Sequence, residues 1–425
     1  MKSPIRGNKK IVFAWTFYDW ANSVYPLIIT SAIFPIFYES ATQQDLGGHI
    51  FAFGRDFLNT EFYSYVISLS FLVVSFSAPL LSGVADYAGK KKFFMQIFCY
   101  LGALSCCSLY FFDTDNVVLS MLGVFFASIG FNGSLVFYNA FLPEIAEPLN
   151  QDRVSARGFA MGYVGSALLL ITNLVLLKVF DMNVRWCFVL TGIWWIGFAQ
   201  IPFAILPNNV FGRKTQGNVL LMGFRELKKV MIELRQLPRL KRFLSSYFVY
   251  SMGVQTVMLM AVLFAKQEIK GLEDSDLIIS ILLIQFVGVG GAFLFSWLSE
   301  RLGNIKGLGI ALIIWILICV YTYSQVDSPS EFYVVAGLVG LVMGGIQSLS
   351  RSTYSKLLPD TEDHASFFSF FDVSEKIAIV IGTFSWGFIN GFTGSMRTSI
   401  LSLIVFFIVG FLLLLTIPKD SRVEK

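Results

Sequence analysis

Ser82-Gly83-Val84-Ala85-Asp86-Tyr87-Ala88-Gly89-Lys90-Lys91-Lys92 closes one apolar run, residues 60–83, and opens the next, 93–112. A helix rises about 1.5 Å per residue, so a run of about 20 residues crosses the roughly 30 Å of a bilayer core. The pattern returns in the second half of the chain: Ser296, Glu300, Gly303 and Lys306 repeat Ser82, Asp86, Gly89 and Lys92 at a constant offset of 214. Tyr138, Leu142, Pro143 and Glu144 likewise return as Tyr354, Leu358, Pro359 and Asp360 at an offset of 216. Two repeats at nearly one offset predict a duplicated unit.

Outward from that turn, apolar stretches continue along all 425 residues. They fall at 11–38, 60–83, 93–112, 117–142, 158–180 and 185–207, then at 243–265, 277–298, 307–323, 331–350, 366–391 and 397–417. The chain is 55% hydrophobic and 14% charged, against roughly 25% charge in a soluble domain. Lipid is therefore the solvent for most of it. The basic N-terminus before an apolar run has the look of a signal peptide, but 11–38 is too long and lacks a small-residue cleavage site, so it reads as the first membrane helix. Cys99, Cys106, Cys107, Cys187 and Cys319 all lie inside spans and read as small core hydrophobes rather than a disulfide framework.

Twelve spans put both termini on one side. Assigning both tails, the central loop and the loops after helices 2, 4, 8 and 10 to the cytoplasm collects 25 of the 32 Lys and Arg residues there. The opposite loops hold six: Arg55, Lys178, Arg185, Lys266, Lys270 and Arg397. Such an asymmetry orients a membrane protein, whereas the net charge of +4 says little by itself. The expected organisation is a six-helix bundle over 1–207, a cytoplasmic linker over 208–242 and a second bundle over 243–425. The linker carries Arg213, Lys214, Arg225, Lys228, Lys229, Arg235, Arg239, Lys241 and Arg242. Within it, 219–236 reads either as an amphipathic helix on the inner leaflet, with Val219, Leu220, Phe224, Leu227, Met231 and Leu234 on one side, or as a solvated tether.

In the Asp86 turn, a carboxylate suits backbone N–H groups at a helix N-terminus, a glycine suits the left-handed conformation of a tight turn, and lysines suit anionic headgroups. The segment resembles the loop signature of the major facilitator superfamily, Gly-x-x-x-Asp-x-x-Gly-Arg-Lys. Asp86, Gly89, Lys90 and Lys91 fall on that pattern, with Ser82 in place of the first glycine. The resemblance implies an all-α membrane fold of two pseudo-symmetric six-helix bundles, with this loop gating the cytoplasmic side. Further along, Tyr18-Asp19-Trp20-Ala21-Asn22-Ser23, Phe141-Leu142-Pro143-Glu144, the string from Gly158 to Gly165, and Phe367-Phe368 resemble one branch of the superfamily. That branch includes fungal vacuolar amino-acid effluxers linked to autophagy and uncharacterised bacterial transporters.

Charged and amide side chains inside spans mark the candidate site. Asp19 and Asn22 share a face of helix 1, facing either a water-filled cavity or another helix. Helix 11 carries Asp372, Glu375 and Lys376. Asp372 and Lys376, at i and i+4, are placed to neutralise each other, which leaves Glu375 as the group for a coupling proton. The resemblance implies a central cavity lined by helices 1, 4, 7 and 10, making Asn132, Asn139, Gln255, Gln347 and Arg351 candidate lining residues. Each also suits an interhelical hydrogen bond. Glycines 158, 162 and 165, and 288, 290 and 291, suit close helix contacts.

Several functions are disfavoured. The chain has no Gly-x-x-x-x-Gly-Lys-Ser/Thr loop, no His-Glu-x-x-His and no Gly-x-Ser-x-Gly, and its two histidines, His49 and His364, lie in loops on opposite sides. No cofactor, metal or nucleic-acid partner is expected, nor enzymatic activity. The expectation is a monomeric secondary transporter of the bacterial inner membrane, surrounded by lipid. It moves a small polar solute such as an amino acid or small peptide by alternating access, with protons as a candidate coupling ion. A drug or lipid exporter is the alternative, and a non-transporting membrane sensor or platform is the rival from another class.

Overall fold

The computed structural model describes residues 6–213 and 218–418. Lys214 and the side chains of Val219 and Leu220, all named in the reading of the linker, lie outside the described residues. The chain opens with α1 (Lys9–Asn22), a π-helical turn (Pro26–Ala32) and α2 (Ile33–Leu46). A hairpin of β1 (His49–Ala52) and β2 (Arg55–Leu58) leads to α3 (Asn59–Ala88), α4 (Lys91–Ser108), α5 (Val117–Asn139) and the single turn α6 (Leu142–Ile145). Then come α7 (Gln151–Val179), α8 (Arg185–Ile205), α9 (Val219–Gln236) and α10 (Pro238–Glu268). The chain finishes with α11 (Asp274–Leu302), α12 (Asn304–Gln325), α13 (Pro329–Leu357), α14 (His364–Thr393) and α15 (Met396–Leu415).

Among the described residues, eleven helical segments are long and apolar enough to cross a membrane, from Lys9–Leu46 to Met396–Leu415. They carry nearly all of the expected spans. The remaining expected span, 366–391, lies within α14, a 30-residue helix that carries Asp372, Glu375 and Lys376 and is not among the eleven.

Two local features depart from the sequence reading. The first span is not one regular helix, because a π-helical turn begins at Pro26. Proline has no N–H and its ring crowds the preceding turn, and the wider register absorbs the mismatch. The second is the antiparallel hairpin between spans, paired His49 to Leu58 and Ala52 to Arg55. Its turn uses Phe53 and Gly54 at φ of 52° and 77°, the left-handed pair a tight hairpin needs. Expected ends elsewhere are met by simple chemistry. Gly89, at φ 63°, caps α3 by donating to Ala85 and Asp86, and Ser328 with Glu331 forms a capping box at the start of α13.

By contact the chain forms two compact units, Met1–Ile145 with Met161–Gly223, and Ala146–Ala160 with Phe224–Lys425. The first turns of α7 thus belong to the second unit and its remainder to the first. Small residues permit close helix approach within each. In the first unit, a Cβ on Gly162 would stand 2.4 Å from Ser23 Oγ, and one on Gly165 would stand 2.7 Å from the Trp20 carbonyl. In the second, a Cβ on Gly344 would stand 2.2 Å from the Gly288 carbonyl, where only backbone is available to yield. Gly290 has open space around it, so it is not part of the close contact its neighbours make. Gly344→Ala should therefore lower the thermal midpoint of the solubilised protein by the equivalent of about 1–3 kcal/mol. Gly290→Ala should leave it unchanged or raise it, and equal responses would refute the contact.

Candidate functional site

In the first unit, burial and hydrogen bonding gather around Asp19. Tyr138 of α5 donates its hydroxyl to Asp19 Oδ2 at 2.6 Å. The Tyr138 ring stacks on Trp15 at 4.5 Å, and Trp15 Nε1 donates back to the Tyr138 carbonyl at 2.8 Å. Asp19 is thus held by α5 in a buried aromatic setting, which suits an intramembrane carboxylate. Asn22, one turn on, is buried with its Nδ2 lacking a hydrogen-bond partner, while its Oδ1 accepts from Ser23 Oγ at 3.4 Å. Asn132 is turned into its own helix, donating to the Ser128 carbonyl at 2.8 Å and to Ser128 Oγ at 3.3 Å. Asn139, on the same helix, is half-buried.

The charged turn is built differently from its sequence reading. Of its three lysines only Lys90 is exposed, so the expectation that all of them face headgroups is corrected. Lys91 is buried in an ion pair with Glu144, the acidic end of the Leu-Pro-Glu string. Its ammonium also lies 5.8 Å and 5.5 Å from the ring centres of Phe141 and Phe211. Lys92 donates to the carbonyls of Phe203 and Leu206 at 2.8 and 2.9 Å, capping the last turn of α8. Asp86 is buried, and its carbonyl accepts from Arg213 at 2.8 Å. Ser82, where a glycine is usual, is buried and bonds its own helix at the Pro79 carbonyl. Two motifs that looked separate in the sequence are thus one interlocked corner.

In the second unit the charges of α14 come together. Lys376 Nζ lies 3.4 Å from Asp372 Oδ1 and 3.7 Å from Glu375 Oε2, so it serves both carboxylates. Gln255 of α10 donates to Glu375 Oε1. Asp372 and Lys376 are buried, and Asp372 Oδ2 has no hydrogen-bond partner. Two carboxylates thus lie against one ammonium. Gln347 of α13 points its Nε2 at Met258 Sδ, 3.5 Å away. Arg351 is engaged elsewhere. Its Nε donates to Ser155 Oγ and its Nη2 to the Ser155 carbonyl, both at 2.9 Å, and the guanidinium lies 4.2 Å from the Phe159 ring centre.

Sequence reading missed Asp152, at the start of α7. Its carboxylate, almost wholly buried, accepts from Ser299 Oγ at 2.8 Å, Asn304 Nδ2 at 2.7 Å and Lys356 Nζ at 2.5 Å. One side chain therefore ties α7 to the ends of α11, α12 and α13. The only local signal is an acid in the first turn of a helix, which is commonplace. Beyond the spans, Lys229 of α9 bridges Glu226 at 2.8 Å and Asp363 at 3.1 Å. Burial first, and Asp363 second, raise the Glu226 carboxyl above its usual range.

Long apolar helices carrying a handful of buried charges define an integral membrane protein. Solved structures agree on the fold. The fucose:proton symporter FucP of E. coli superimposes with a TM-score of 0.69 at 17% identity, covering 97% of this chain and 98% of that one. The human organic anion transporter MFSD10 gives 0.69 at 13% identity, covering 95% and 98%. The chain matches the family described as vacuole effluxer Atg22 like over residues 7–424, and it belongs to that family. Relatives include an uncharacterized MFS-type transporter, YxiO, of Bacillus subtilis, 31% identical over 97% of this chain and 95% of the relative. Autophagy-related protein 22 of Coccidioides immitis is 24% identical over 88% and 76%. The protein is thus a secondary transporter of the major facilitator superfamily, in the branch its short strings resembled.

Proposed function

We propose that the chain carries a small zwitterionic solute, an amino acid or small peptide, across a bacterial inner membrane by alternating access, coupled to protons. In this reading 1–207 and 243–425 are the moving halves, both termini are cytoplasmic, and α14 is the twelfth span. The observation that carries it is the buried set of α14, in which Lys376 lies between Asp372 and Glu375 with Gln255 on the outer carboxylate. A mixed-sign group with one uncompensated negative charge suits a solute bearing both an ammonium and a carboxylate, and it suits a proton when the solute is absent. Asp19, held by Tyr138, offers a second buried carboxylate. The fucose:proton symporter shares the fold and supports proton coupling as a mode open to it.

The test is a flux screen of the purified full chain in proteoliposomes over amino acids, peptides, sugars and lysolipids, with and without a proton gradient. Gradient-dependent amino-acid or peptide uptake is expected. Glu375→Gln should abolish its gradient dependence, and Asp19→Asn should reduce uptake by about tenfold, the value of one charge-assisted hydrogen bond. If both variants left uptake and its pH dependence unchanged, the coupling scheme would fail, and uptake of lysolipids alone would favour an exporter of amphiphiles.

A further inference from the structure

Helix α9, Val219–Gln236, is not among the segments apolar enough to cross a membrane, yet it exposes a row of large apolar side chains. Leu221, Phe224, Met231 and Ile232 are 50%, 54%, 38% and 48% exposed. At helical spacing they share one sector with Lys228 and Arg235, both exposed. The acids of the helix, Glu226 and Glu233, fall outside that sector. This is the outward face because other residues set the roll. Within the second unit, Val230 is fully buried and Lys229 is tied to Glu226 and Asp363.

The face differs from the sequence expectation. Leu227 and Leu234, assigned to the membrane side, are half-buried, whereas Leu221 and Ile232, not assigned to it, are exposed. An apolar face of this kind, ringed by cations and free of acids, is unfavourable in water and complementary to anionic lipid. Position supports the same occupant. Only Leu237 separates α9 from the membrane-spanning α10, whose first turns carry Arg239, Lys241 and Arg242. With α10 as a span, that junction keeps α9 next to the membrane surface.

We propose that the Leu221–Phe224–Lys228–Ile232–Arg235 face of α9 docks on the anionic phospholipid surface of the bilayer. Apolar side chains reach the acyl boundary while Lys228 and Arg235 hold acidic headgroups. The test places single cysteines at Phe224 or Ile232, with Glu233 as control, in the full chain with its five native cysteines replaced. Each is spin-labelled and reconstituted in phosphatidylcholine alone or mixed with phosphatidylglycerol. In the anionic bilayer, labels at 224 and 232 should become accessible to oxygen and shielded from a water-soluble nickel chelate, while the label at 233 does not. The double change Lys228→Glu, Arg235→Glu should weaken this docking by about 25-fold, two surface cations at roughly fivefold each, and return both labels to water. Nickel-accessible labels in both bilayers would overturn the proposal. So would labels shielded from oxygen and nickel alike, which would mean a protein partner, and so would equal docking on phosphatidylcholine alone.

Discussion

Lys91→Ala should destabilise the protein by roughly 3–5 kcal/mol, because it strands a buried carboxylate. Lys91 and Glu144 have side-chain exposures of 6% and 0%, so neither can exchange its partner for water. The loss would spread beyond the pair. Glu144 sits in the turn whose carbonyls at Pro143 and Ile145 accept from Arg6 and Gly7, so loosening α6 releases the N-terminal strap as well. Thermal unfolding of the solubilised full chain would measure the effect, with Lys90→Ala as an exposed neighbour expected to change little. Replacing both partners, Lys91→Met with Glu144→Gln, should recover much of the loss, since a buried pair removed together leaves no orphan charge. A single variant as stable as the parent would show that the pair contributes nothing.

Asp152→Ala should cost on the order of 3 kcal/mol, and its signature should be local. Three donors lose one acceptor: Ser299, Asn304 and Lys356. Lys356 is partly exposed, at 23%, and can recruit water, which places this effect below that of Lys91. Ser155, one turn further on, receives Arg351 and donates to the Ser348 carbonyl, so the first turns of α7 are held by a short series of polar contacts within the second unit. Hydrogen exchange should accelerate over 151–160 in the variant and stay unchanged over 161–179, which belongs to the other unit. Asp152→Asn, which keeps an acceptor but loses the charge, should fall between. Uniform acceleration along α7 would show that Asp152 acts on the helix as a whole.

The sequence singled out Lys91 for its motif and Glu144 for its string, without pairing them, and it passed over Asp152 altogether. Arg351 stood out as a candidate lining residue at the end of a span, and the structure sets it against Ser155 and Phe159. By contrast, the Asp372, Glu375 and Lys376 grouping was legible, because all three lie within one turn and a half of one helix, where geometry is set by spacing alone. Only its fourth member, Gln255, required the fold.

The sequence by itself determined the membrane class, the long apolar helices and the family. These are local properties: lipid demands that each span be apolar and satisfy its own backbone, and that demand is written residue by residue. The tertiary structure alone decided the partners between helices. Lys91 meets Glu144 across 53 positions, and Asp152 meets Lys356 across 204. Such meetings follow from which helices glycine lets approach and how each is rolled about its axis. A hydrogen bond depends on placement to a fraction of an ångström, and no spacing along a chain encodes that between separate helices.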